Sequence, residues 1–121
     1  MGQAILWIEP VSRTLQTAAV STCTGTEIDL KGRYATAVAQ VDSTAGVVTF
    51  QGTVDGDNWT NLACVNLATG KAKATSTAGG IYSISVLGIN QFRASITTAS
   101  TAGISVEANI LPVSNSLHAT T

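Results

Sequence analysis

Apolar and polar positions alternate with a period of two along most of the chain, the spacing of strands with one buried face. Ile28 and Leu30 alternate with Glu27, Asp29 and Lys31, and Ala35, Ala37, Ala39 and Val41 with Tyr34, Thr36 and Gln40. Val48, Phe50, Gly52 and Val54 face away from Thr49, Gln51 and Thr53. Tyr82, Ile84 and Val86 oppose Ser83 and Ser85; Phe92, Ala94 and Ile96 oppose Arg93, Ser95 and Thr97. The most regular run sets Ile104, Val106, Ala108 and Ile110 against Ser105, Glu107 and Asn109. Turn signals such as Lys31-Gly32, Ala45-Gly46, Asp55-Gly56, Gly79-Gly80, Leu87-Gly88 and Ala102-Gly103 separate these runs. Short strands at this spacing predict an all-β fold, an antiparallel, jelly-roll-like β-sandwich of about eight strands with no substantial helix. Residues 67–77 hold the one helical candidate, but Thr69, Gly70 and Thr75 weaken it, and a loop or irregular edge strand is expected there.

The 121 residues suit one domain. The expected division is an N-terminal arm with the first strands over residues 1–24, the sandwich over 25–112 and a flexible tail over 113–121. An alanine-rich inner face allows close approach of a second layer while burying little apolar area per residue. The outward faces are rich in threonine and nearly uncharged. With few Lys, Glu or Pro to blunt strand edges, edges or faces covered by other protein are expected.

Composition narrows the function. Charged residues are 11% of the chain and the net charge is −1, against about 25% charged in ordinary soluble domains. Ser and Thr, together about a quarter of the residues, take their place. The six basic residues are scattered, so the clustered cationic footprint of a nucleic-acid binder or a polybasic membrane anchor is missing. No apolar run is long enough for a membrane-spanning helix. The opening residues 1–10 lack the basic start of a secretory signal, Glu9 interrupts them early, and they are expected to belong to the mature fold. Cys23 and Cys64 match no zinc or redox spacing. They read as two small buried hydrophobes, with a single disulfide as the alternative.

The stretch 47–62, VVTFQGTVDGDNWTNL, concentrates candidate chemistry. Asp55, Asp57 and Asn58 offer hard oxygens, yet no further ligand, glycine or terminal glutamate comes after them in the register of a calcium loop. The turn reading uses every residue instead. Asp55 bonds its own backbone, Gly56 tolerates positive φ, and Trp59 opens the next strand as a core anchor. Phe50, Tyr82 and Phe92 are expected beside it in the core. His118 lies in the C-terminal tail, where no target is held within reach of a general base. The other carboxylates fall on separate segments, and no glycine-rich phosphate loop precedes a helix. No catalytic residue, metal site or cofactor is therefore assigned.

Two features point to binding. Ile5, Leu6, Trp7 and Ile8 set large apolar side chains on both faces of any strand they form, which then needs covering twice. The arm is either sandwiched within the fold or added to a neighbour's sheet edge. Arg93, on an outward strand face, lies over an aromatic ring, pairs with an acid, or anchors an interface.

FQGTVDGDNW over residues 50–59, GIYSISVLGINQFRASI over 80–96 and AGISVEA over 102–108 together resemble small β-sandwich modules of tailed-phage structural proteins. The likeness spans roughly residues 25–111. It implies a virion protein that binds neighbouring virion proteins and catalyses nothing, a homo-oligomeric capsid decoration protein first, a neck or tail component otherwise. The matched residues carry over as core and turn positions, not as a binding site. A carbohydrate-binding sandwich is the competing reading, because such modules use similar Asp-Gly-x-x-Trp turns.

Overall fold

The computed structural model of the protein describes residues 9–76 and 79–113. Ten strands and no helix run through them. They are β1 (Val11–Ala19), β2 (Ile28–Asp29), β3 (Tyr34–Asp42), β4 (Val47–Thr53), β5 (Thr60–Leu62), β6 (Cys64–Asn66), β7 (Lys71–Lys73), β8 (Gly80–Ser85), β9 (Gln91–Thr98) and β10 (Ile104–Pro112). One sheet has the order β1-β10-β3-β8-β6-β7 and the other β2-β9-β4-β5, with neighbouring strands antiparallel. Without the β6–β7 hairpin, four strands stand in each sheet, and the chain crosses between sheets at 1→2, 2→3, 3→4, 5→8, 8→9 and 9→10. That is the connectivity of a jelly roll. The fold class expected from the alternation is the one observed, with β6–β7 as an extension beside β8.

Alternation places the core between the sheets. Ala37, Ala39 and Val41 of β3, Ile84 of β8 and the even-numbered residues from Ile104 to Ile110 of β10 are buried, as are Val48 and Phe50 of β4 and Phe92, Ala94 and Ile96 of β9. The Phe50 and Phe92 rings stack with centroids 6.1 Å apart, and Tyr82 from the opposite sheet meets Phe50 at 6.4 Å. Such pairs add about 0.5–1.5 kcal/mol beyond the area they bury. Gly52 is what lets this part of the core close. A Cβ there would stand 2.9 Å from Ile89 Cγ2 and 3.0 Å from Leu62 Cδ1, so these two side chains occupy the inner face beneath it.

Three expectations need correction. The boundary at residue 24 does not separate an arm from the sandwich. β1 pairs with β10 from Val11 onward, Leu15 is buried, and Gln16 Nε2 donates to Ala94 O at 2.8 Å. Residues 11–24 are therefore one body with the rest of the sandwich. Cys23 is exposed and Cys64 buried, both free, so Cys23 is not a core hydrophobe. Edges are also better guarded than composition implies. β2, β5 and β7 have two or three residues each, β7 carries Lys71 and Lys73, and β1 has register shifts after Thr14 and after Gln16. Short edges, lysines and bulges all discourage unwanted pairing. Residues 67–76 of the helical candidate form a turn, the short strand β7 and a bridge rather than a helix, and residue 77 lies outside the described residues. Ile5, Leu6, Trp7 and Ile8 lie outside the described residues, as do His118 and the tail from 114.

Candidate functional site

The loop between β4 and β5 is organised by one carboxylate. Asp55 Oδ1 accepts from Thr53 Oγ1 at 3.0 Å and from the backbone N–H groups of Asp57 and Asn58, both at 2.8 Å. Asp55 Oδ2 accepts from Asn58 Nδ2 at 2.6 Å. The N–H of Gly56, whose φ is 86°, donates to Thr53 Oγ1 at 3.0 Å. The Asn58 backbone and side-chain donors, with those of Asp57 and Thr53, hold the Asp55 carboxyl far below the usual carboxylate range. Both of its oxygens are thus engaged by the loop, and Asp55 acts as the internal hub of the turn. The turn is longer than a two-residue hairpin, since the last ladder pair is Gly52↔Thr60. Among the described residues no group of three or more His, Cys, Asp or Glu is placed to share a metal ion.

Trp59 is not the core anchor expected of it. Thr60 pairs with Gly52, a core-facing position, and Asn61 pairs with Gln51 on the outer face. Side chains alternate along a strand, so Trp59 shares the outer face with Asn61. There it is half-buried, and the Arg93 guanidinium carbon stands 3.9 Å from its ring centroid. The inner face beneath Gly52 is filled by Ile89 and Leu62 instead.

Arg93 gathers the rest of this face. Its side chain is 14% exposed and reaches Glu27 Oε2 with Nη1 at 3.6 Å. Its Nε donates to Gln51 Oε1 at 2.9 Å, and Ser95 Oγ donates to the same oxygen at 2.9 Å. Gln51 Nε2 then donates to Asn61 Oδ1 at 2.9 Å. Thr49 and Thr97 share a hydroxyl bond of 3.1 Å one row further along. Arg93 thus both stacks on a ring and meets an acid, each of which the sequence allowed. Gln51 and Glu27 carry no such signal in the sequence, because their roles depend on the register Gln51↔Arg93 and on the path of the chain before β2. Beside this network lies an open depression of about 530 Å³ bordered by Thr22, Cys23, Thr24, Arg93, Ser95 and Thr97.

The remaining residues of interest lie elsewhere. Phe50, Tyr82 and Phe92 are core, as Asp55 and Gly56 are turn. The Cys64 thiol is pushed up by burial and donates to Lys73 O at 3.6 Å, which leaves it a poor nucleophile. What the site holds is a flat, hydrogen-bonded polar face carrying one indole and one guanidinium. That arrangement can recognise a surface.

No protein-family model matches the chain, and no curated protein matches it. Among solved structures, the fold is similar to that of the SPBc2 prophage-derived protein YomS in its crystal structure. The TM-score is 0.76 at 17% identity, covering 89% of this chain and 98% of that one. At that identity the likeness establishes a shared fold, and the structural neighbour is a phage-derived protein. No helix among the described residues is long and apolar enough to cross a membrane.

Proposed function

We propose that this chain is a non-enzymatic structural protein of a tailed-phage particle, made in the host cytoplasm and resident in the virion. Capsid decoration is the first assignment, and a place in the neck or tail the second. The observation that carries the reading is the jelly roll shared with a prophage-derived protein along almost the whole length of that protein. The polar groups that would serve chemistry support it. Asp55 is committed to its own loop, and Arg93 to Glu27, Gln51 and Trp59. Function then falls to the exterior, whose partners are other virion proteins and not nucleic acid or membrane.

Contact would come from the apolar residues Ile5, Leu6, Trp7 and Ile8 and from the outer face around Arg93. Because Trp59 and Gln51 clasp the guanidinium, Arg93 contributes by holding the indole and amides in place. Many weak contacts repeated over a particle add to firm attachment. The test is co-sedimentation with undecorated shells. Saturable pelleting at a fixed ratio to the shell protein is expected, and its loss on replacing Ile5, Trp7 and Ile8 together by serine. Failure to pellet with heads, necks or tails would refute the reading.

The position of Trp59 favours a second reading. A half-exposed indole beside the amides of Gln51 and Asn61 also suits a pyranose ring. Glycan binding abolished by Trp59→Ala, without any particle binding, would select it.

A further inference from the structure

Among the described residues, the long edge of the structure is β1, with β10 on one side and no strand on the other. The register shows which backbone groups of β1 are unpaired. Val86 N–H donates to Ala35 O at 2.9 Å, so Ala35, Ala37 and Ala39 turn their backbone polar groups to β8. Groups alternate along a strand; Thr36, Val38 and Gln40 therefore bond to β10. Their partners Leu111, Asn109 and Glu107 face β3, which leaves Ile110 and Ala108 to bond Val11 and Arg13 of β1. The N–H and C=O of Ser12 and Thr14, and the C=O of Pro10, consequently point off the edge. Consistent with this, Arg13 Nη1 donates to Ser12 O at 2.9 Å.

We propose that this edge pairs with the same edge of a second copy, antiparallel about a two-fold axis at Val11. Charge selects the register. Glu9 and Arg13 stand symmetrically about Val11, both exposed, so this pairing sets Glu9 of each copy opposite Arg13 of the other, twice. Centring on Arg13 would oppose two guanidiniums, and centring on Ser12 would set each Arg13 against a valine. Directly opposed unlike charges stabilise a strand pair and like charges destabilise it. Pro10 fits the same register. Its carbonyl accepts from Ser12 N–H of the other copy, while Ser12 O, which gains no donor from a proline, already has Arg13. The pairing stops where the register shift after Thr14 bends the strand away. Two six-stranded sheets become one continuous sheet across the axis. This deepens the virion reading by naming the homo-oligomer contact, yet its test uses no phage particle, so either can fail alone.

Facing residues of the non-hydrogen-bonded class have Cα atoms about 4.5 Å apart, within disulfide range. In a Cys23→Ser background, Val11→Cys should oxidise with copper–phenanthroline to a covalent dimer, and exposed Leu87→Cys should give only collisional background. Light scattering of the unmodified full chain should report twice 12.3 kDa. Arg13→Glu should weaken the dimer by about tenfold or more, and Glu9→Arg added to it should restore it. A monomer would assign the edge to another occupant, such as residues 114–121 or a different protein, and overturn the proposal. So would a dimer in which Val11→Cys cross-links no faster than Leu87→Cys.

Discussion

Phe50 and Trp59 belong to the same stretch of chain and face opposite ways, so truncating them should have unequal consequences. Phe50 is fully buried against Phe92 and Tyr82, and Phe50→Ala should cost about 3–5 kcal/mol through lost burial and the cavity left behind. Trp59 is half-buried over a guanidinium. Trp59→Ala should cost about 1–2 kcal/mol, the scale of a partly desolvated cation–π contact with modest burial. Urea unfolding of both variants checks this, and equal losses would contradict the outward placement of the indole. The face of Trp59 was not legible in the sequence. An Asp-Gly turn leading into an aromatic is compatible with either face, and only the ladder pair Gly52↔Thr60 decides between them.

At the scale of elements, the strands that announced themselves were those with long, uninterrupted alternation: β3, β4, β8, β9 and β10. β5, β6 and β7 have three residues each, too few to display a period. β1 has nine, yet Leu15 and Gln16 are buried in succession because register shifts on either side of Gln16 break the alternation. Arg13, at a core-side register, further masks the pattern. The β4–β5 loop gives a prediction of its own. With its carboxyl held below the usual range, folded Asp55 stays ionised where the unfolded chain has begun to take up a proton. Its contribution is fully present above the ordinary carboxylate pKa of about 3.9 and is lost as pH falls below that toward the folded value. Asp55→Asn also turns an amide toward the donor Asn58 Nδ2. The difference in thermal midpoint between the parent and Asp55→Asn should therefore hold steady from neutral pH to about pH 5 and narrow below about pH 4. A gap that widened under acid would show that the loop is not held by this carboxylate.

For the whole molecule, the jelly roll arises from strands that pair far along the chain. The alternation specified strands and a sandwich, while the order β1-β10-β3-β8 over β2-β9-β4-β5 emerges from which edges meet. Charged residues make up only 11% of the chain, so few charges are available to the sheet faces. The depression beside Arg93 opens on the outer face of the four-stranded sheet, while the loop around Asp55 closes the end of β4 and β5. The central claim, that the chain works as a structural part of a phage particle, is tested most directly by quantitative mass spectrometry of purified particles from the phage that encodes it. The chain should remain at a constant, multi-copy ratio to the major shell or tail protein through successive gradient purifications. Its steady loss from infectious particles, with all of it recovered free in the lysate, would contradict that claim.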